Sequence, residues 1–200
     1  MVTPFDNLKD YSIILASNSP RRRELLQKTG LPFSVKVIDG INECYPQELD
    51  VAEIPQFISR TKAEAYNTSI TDNQLVITAD TIVALDKQVL GKPHSRKEAI
   101  NMLESLSGRT HLVITGVTVM TKRNIHTFAS ESRVMFAPLQ PDEIQWYIDT
   151  FNPFDKAGSY GIQEWIGMIG ISHIEGSFFN VMGLPVHKLY NFLKNIRPGF

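Results

Sequence analysis

The chain has 200 residues, 42% of them hydrophobic, which is enough to bury a core as one domain or as two closely joined lobes. Twenty Lys+Arg against 21 Asp+Glu leave a formal charge of -1, so no global field draws the protein to nucleic acid or to an acidic membrane, and any anion site must be local. Cys44, the single cysteine, excludes an internal disulfide and a cysteine-rich zinc module and fits a reducing compartment.

In chain order, YSIILAS (11–17) has a strand's length and β-branched content. It is the only apolar run near the N-terminus and is far too short for a signal core or a membrane span, so a cytoplasmic location without a membrane partner is expected. Ser19 is a good N-cap, Pro20 suits the first helical position, Leu25 and Leu26 supply an apolar face and Thr29-Gly30 a stop, which together predict a helix. FSVKVID (33–39) alternates like a second strand, and residues 52–66 give a helix after Pro55 with Ile58, Lys62 and Ala65 among the residues on its faces. QLVITADTIVAL (74–85) is a long apolar strand interrupted by Asp80, and Asp86-Lys87 suggests a hairpin turn behind it.

A capping box, Ser95 with Glu98, opens a helix that ends at Gly108. HLVITGVTVMT and HTFASESRVMFAP read as a hairpin turning near Lys122, Arg123 and Asn124, and Pro141, Asp142 and Glu143 open another helix. NPFDKAGSYGIQEWIG (152–167) is too dense in Gly, Pro and polar residues for a regular element and is expected to be a long loop, a place where function often sits. GSFFNVMGLP carries the same two readings, a ligand-approaching loop or a structural stretch in which Gly176 and Gly183 are plain turn residues and Phe178 and Phe179 plain core. A last helix begins at Pro185 with Val186, Leu189, Tyr190 and Leu193 at core spacing. Hairpins mixed with strand–helix steps predict an α/β fold with a mixed sheet, and no repeat or linker marks a domain boundary within 1–200.

Arg21, Arg22 and Arg23 crowd the first turn of the helix at Pro20, where exposed N–H groups already carry partial positive charge and each added cation costs roughly 0.3–1 kcal/mol. A bound anion would reverse that cost, because the helix N-terminus and the forked guanidinium donors both match phosphate oxygens. The alternative is a solvated cluster in which Arg22 or Arg23 pairs with Glu24 or a later carboxylate. The strand just before the cluster favours the anion site, since open α/β sheets bind ligands at the carboxyl ends of strands. Asp80, a carboxylate between apolar runs, must be bonded or paired; it reads as a buried structural group, a metal ligand or a general base, with Thr81 beside it as a polar contact.

Glu43 in a loop, Lys62 on a helix and Lys92 after a hairpin each have an ordinary solvated reading as well. The loop DKAGSYGIQ gathers Lys156, Gly158, Ser159, Tyr160, Gly161 and Gln163, and the Gln163 amide can read a base edge through a donor and an acceptor together, although a plain turn is equally consistent. His94, His111, His126, His173 and His187 are scattered, so a divalent ion would sit on oxygen, as Mg²⁺ or Mn²⁺ do. There is no Walker sequence, no GxGxxG and no GxSxG elbow.

LASNSPRRRELL, TADTIV, GKP, DKAGSYGIQ and GSFFNVMGLP, in that order over nearly the whole chain, resemble the Maf family of nucleotide pyrophosphatases. The resemblance implies one Maf-like domain over 1–200: an α/β fold with a curved mixed sheet, flanking helices and two lobes around a central cleft, similar to the inosine triphosphate pyrophosphatases. It also implies metal-dependent hydrolysis of dTTP and UTP to the monophosphate and pyrophosphate. By position in the motifs, Asp80 matches the proton acceptor, and Arg21, Thr81 and Gln163 match the residues that mark the dTTP and UTP subgroup. Ser17, Arg22, Glu43, Lys62 and Lys92 fall where the family places phosphate and metal contacts, with Glu43 and Asp80 as metal ligands for Mg²⁺ or Mn²⁺. The expected partner is the nucleoside triphosphate, with a homodimer open and no nucleic acid or membrane. Two other readings stand beside this one: a pyrophosphatase for deaminated purine triphosphates, and a nucleotide-binding regulator of cell division without turnover.

Overall fold

The structure, a computed structural model, describes residues 3–197 and 199–200. Its strands are β1 (Ser12–Leu15), β2 (Ser34–Val35), β3 (Gln74–Leu85), β4 (Gln88–Leu90), β5 (Thr110–Met120), β6 (Ile125–Phe136) and β7 (Ile171–Glu175). The helices are α1 (Pro20–Gln27), α2 (Ile54–Glu64), α3 (Arg96–Leu106), α4 (Pro141–Phe151), α5 (Trp165–Gly170), α6 (Phe178–Met182) and α7 (Val186–Lys194). All seven strands join one sheet in the order β2-β1-β3-β5-β6-β7, with β4 paired to β3. β1 lies parallel to both β2 and β3, whereas β4 on β3 and β7 on β6 are antiparallel, so the expected mixed sheet is present. Among the described residues, no helix is long and apolar enough to cross a membrane.

Burial explains the strand patterns. β3 is buried at Leu75, Val76, Ile77, Thr78 and Ala79 in succession, which requires cover on both faces and accounts for its unbroken apolar run. β6 alternates instead, with Ser132, Val134 and Phe136 buried and Glu131, Arg133 and Met135 exposed, as a strand covered on one face does. The β3–β4 turn has φ of 49° at Asp86 and 70° at Lys87, the left-handed pair that a two-residue hairpin needs, so the turn read at Asp86-Lys87 is in place.

Local expectations fail in four places. β2 spans two exposed residues rather than 33–39, because this edge strand has almost nothing to bury and pairs with β1 only at Ser34 and Val35. The 152–167 stretch holds two short 3₁₀ turns, Pro153–Asp155 and Ala157–Ser159, and its last residues already belong to α5. β7 lies in a stretch for which no element was expected, α6 lies within GSFFNVMGLP, and Phe178 and Phe179 are exposed at 40% and 48%, not core. The Ser95 cap receives the Glu98 N–H as expected, but the Glu98 carboxylate accepts from the His94 N–H instead of closing the box on Ser95.

Contacts divide the chain into two compact units, one of Met1–Asp80, Thr115–Ser130 and Gly183–Phe200, the other of Thr81–Ile114 and Glu131–Met182. In the first, Ile14, Val76 and Met120 from the sheet and Ala16 just after β1 pack with Ala63, Tyr66 and Ile70 from α2 and its extension. In the second, the rings of His111, Phe136 and Tyr160 meet at 5.1–5.6 Å. His111 is 2% exposed and its Nε2 bonds the Tyr160 hydroxyl at 2.7 Å.

Burial pushes the His111 imidazole down from 6.5 to about 4. Between those values the unfolded chain binds a proton that the folded chain does not. Stability is therefore fully present above pH 6.5 and falls as the pH drops towards 4, by up to about 3 kcal/mol. Melting temperatures at pH 7 and pH 4.5 check this: the wild type should lose stability over that interval, and His111→Phe should lose clearly less. Equal losses in the two proteins would remove His111 as the cause.

Candidate active site

In the first unit, α1 starts three residues after Ser17, and its cap is the one the sequence announced: Ser19 Oγ accepts the Arg22 N–H at 3.4 Å, with Pro20 at the first helical position. The three arginines then separate. Arg23 is exposed, Arg21 is half-buried, and Arg22 turns back over the ends of the strands. Its Nε donates to the Gly183 carbonyl at 2.8 Å, and its Nη1 donates to the Ala79 carbonyl at 2.8 Å and to Ser17 Oγ at 3.4 Å. Gly183 has φ +114°, a conformation that side-chain-bearing residues rarely adopt. Burial pushes the Arg22 guanidinium below its ordinary range; the charge of Asp80 opposes this, Arg21 adds to it and Glu43 opposes it. Arg22 is therefore fixed to backbone while feeling both carboxylates of the site.

Asp80 lies in β3 with its side chain 15% exposed. Lys62 of α2, itself 16% exposed, places Nζ 2.8 Å from Asp80 Oδ1 and 3.0 Å from Glu43 Oε2, so one ammonium joins a strand carboxylate to a loop carboxylate. Strand alternation sets this meeting, because Thr78 and Asp80 project to the same face of β3. Thr78 Oγ1 donates to the Ser59 carbonyl of α2 at 2.6 Å, and Asp80 receives Lys62 less than one turn further along the same helix.

α2 is held in that place by hydroxyls and by a missing side chain. Ser59 Oγ donates to the Gln56 carbonyl at 3.0 Å, which uses its one proton, so Thr118 Oγ1 donates to Ser59 at 3.0 Å and Thr127 Oγ1 to Thr118 at 2.9 Å. These bonds fasten α2 to β5 and β6. Gly116 of β5 lies directly against the first turn of α2, where a Cβ would fall 2.2 Å from the Pro55 carbonyl oxygen.

Glu43 and Asp80 also fit a divalent cation. An ammonium already sits between the two, a position that suits positive charge, and Mg²⁺ commonly uses one or two carboxylates and takes its other ligands from phosphates and water. Among the described residues no group of three or more His, Cys, Asp or Glu converges, and Glu43 and Asp80 are the candidate carboxylates.

Thr81, Lys92 and Gln163 belong to the second unit. Thr81 is half-buried, and Lys92 and Gln163 are exposed. On β3, Thr81 alternates with Asp80 and shares its face with Val83, whose methyls would meet a Cβ on Gly158 at 2.9–3.0 Å. Sequence reasoning missed the partners of the Gln163 loop: Lys156, 7% exposed, bonds Asp155 Oδ1 at 2.7 Å and Glu164 Oε1 at 3.0 Å, and Tyr147 of α4 donates to Glu164 Oε2. The available signal was a lysine and a glutamate of opposite charge eight residues apart in a glycine-rich stretch, which cannot be buried without partners.

The ordered blocks of the sequence agree with the family match, in which the model described as Maf-like protein covers residues 12–196. The chain belongs to the Maf family. Maf relatives called dTTP/UTP pyrophosphatase include one from Parabacteroides distasonis, 56% identical over 190 residues, covering 95% of this chain and 98% of that one. Another, from Bacteroides thetaiotaomicron, is 52% identical over 95% of this chain and 98% of its own length, and one from Porphyromonas gingivalis is 52% identical over 95% and 96%. Among solved structures, a HAM1 protein from Coxiella burnetii aligns with a TM-score of 0.50 at 15% identity, over 93% of this chain and 100% of that one. That likeness concerns the fold alone. The five blocks quoted for the Maf resemblance thus led to the right family.

Proposed function

We propose that this Maf protein hydrolyses dTTP and UTP to the monophosphate and pyrophosphate. The observation that carries the reading is the Lys62 ammonium held 2.8 Å from Asp80 and 3.0 Å from Glu43, in the unit where Arg22 is pinned beside Ser17. The name shared by relatives at 52–56% identity supports the choice of substrate.

In this mechanism Arg21, Arg22, Lys62 and Lys92 supply positive charge to the triphosphate, and Ser17 with the N–H groups of α1 adds neutral donors. Asp80 takes a proton from the attacking water as the water oxygen bonds to the α-phosphorus. The bond from that phosphorus to the bridging oxygen breaks, and pyrophosphate leaves with the electron pair. Glu43 and Asp80 would hold a divalent metal, Mg²⁺ or Mn²⁺, which when bound neutralises charge on the phosphate oxygens. Thr81 and Gln163 read the base: the Gln163 amide offers an acceptor to a pyrimidine N3–H and a donor to its O4. Such an activity belongs with the nucleotide pool of the cytoplasm.

Purified protein with Mg²⁺ or Mn²⁺ and a panel of UTP, dTTP, CTP and ITP tests the reading. UTP and dTTP should give monophosphate and pyrophosphate at the highest kcat/KM. Diphosphate and phosphate as products would mean a different bond is cut, a preference for ITP would move the substrate to deaminated purines, and binding without products would leave a regulator.

A further inference from the structure

Residues 161–164 form a turn closed by the Glu164 N–H donating to the Gly161 carbonyl at 3.0 Å, with Gln163 exposed at its corner and Ile162 buried beneath it. One phenol holds both ends of this turn. The Tyr147 hydroxyl accepts the Gly161 N–H at 3.0 Å and donates to the Glu164 carboxylate, whose other oxygen receives Lys156 Nζ at 3.0 Å. Side-chain and backbone atoms both pack closely around the turn. A Cβ on Gly161 would meet the Glu164 carboxylate at 2.7–3.0 Å, and one on Gly167 would meet the Ile162 carbonyl oxygen at 1.9 Å.

Tyr147 is 0% exposed, and Lys156 and the Glu164 side chain are 7% and 17% or less exposed, so the ionic cluster sits under the turn and leaves Gln163 as its solvent-facing amide. A buried ion pair of this kind contributes little net stability compared with apolar packing, and here the cluster's bonds run to both ends of the turn. A base-reading amide needs such a fixed origin, since hydrogen bonds to a base edge fail when their donor moves by about an ångström.

We infer that Tyr147 and Glu164 are positioning residues that hold the Gly161–Glu164 turn so that Gln163 meets the pyrimidine base of the substrate. The inference rests on the reading above that Gln163 contacts the base. Neither residue touches the nucleotide; both act through Gln163.

Tyr147→Phe keeps the buried ring and removes both hydroxyl bonds, while Glu164→Gln keeps the shape and removes the charge. If Glu164→Gln leaves Lys156 too poorly matched for the protein to fold, Tyr147→Phe carries the test alone. In each folded variant KM for UTP should rise about 10-fold or more with kcat within about threefold, as expected for lost binding that is uniform between ground and transition state. Inhibition by inorganic triphosphate, which has no base, should stay within about twofold. Gln163→Ala should show the same split, and combining it with either change should raise KM no further, because the residues act as one unit.

Equal weakening of UTP and inorganic triphosphate, or additive effects on KM, would overturn the positioning role and leave a stabilising cluster only. If Gln163→Ala raises KM but Tyr147→Phe and Glu164→Gln do not, the positioning role alone fails. If Gln163→Ala itself leaves KM unchanged, base reading by Gln163 fails and takes the positioning role with it.

Discussion

Asp80→Asn is expected to reduce kcat for UTP by about three orders of magnitude, near 4 kcal/mol in barrier, while leaving KM within a few-fold. Asparagine has the same shape as aspartate but cannot accept a proton from water at neutral pH. Its carbonyl oxygen still accepts a hydrogen bond, so Lys62 Nζ, now 2.8 Å from Asp80 Oδ1, keeps a partner and α2 keeps its place. The arginine and lysine groups assigned to the triphosphate are unchanged, which is why binding should survive. Steady-state kinetics paired with calorimetric titration of UTP on the variant separates the two effects. A variant turning over within tenfold of the wild type would remove Asp80 as proton acceptor, and one that no longer binds UTP would make its role that of a ligand.

Gly116→Ala should destabilise the protein by about 3 kcal/mol and lower the melting temperature by roughly 6–12 °C. The added Cβ would lie 2.2 Å from the Pro55 carbonyl oxygen, 2.3 Å from its carbon and 2.5 Å from the Gln56 nitrogen. All three atoms are backbone, so no rotamer change relieves the overlap and α2 has to move. Thr78 on the Ser59 carbonyl, Thr118 on the Ser59 hydroxyl and Lys62 on Asp80 are set by where that helix lies. Activity in the folded fraction should therefore drop by about 10-fold or more, since misplacement by roughly 1 Å can cost 10²-fold in rate. Thermal denaturation with kinetics below the transition would detect both effects, and a variant matching the wild type in each would show that α2 can shift without consequence.

The candidate site was legible in part. Arg21, Arg22 and Arg23 drew attention because cations at a helix N-terminus are locally unfavourable, and Asp80 because a carboxylate interrupts an apolar strand. Both are anomalies against local rules, which is what a single sequence displays. That Arg22, rather than its neighbours, is spent on the Gly183 and Ala79 carbonyls was not visible, because those acceptors are 161 and 57 residues away along the chain. Tyr147 and Glu164 likewise look ordinary until α4 comes to lie beneath the 161–164 turn.

By itself the sequence determined the cap and start of α1, the full extent of β3, the Asp86-Lys87 turn, the β5–β6 hairpin and the family. The structural features depend on residues close together in the chain, such as a hydroxyl three residues before an N–H or an apolar run, and the family depends on five short motifs in a fixed order. Tertiary structure alone decided which lysine meets Asp80, why Gly116 can have no side chain, and which carboxylate anchors the Gln163 turn. It also decided that Phe178 and Phe179 face outward and that residues 37–39 lie outside the sheet. Those outcomes follow from strand order and from the depth at which helices pack on the sheet, and both are fixed by the combined burial of distant segments, which no local pattern records.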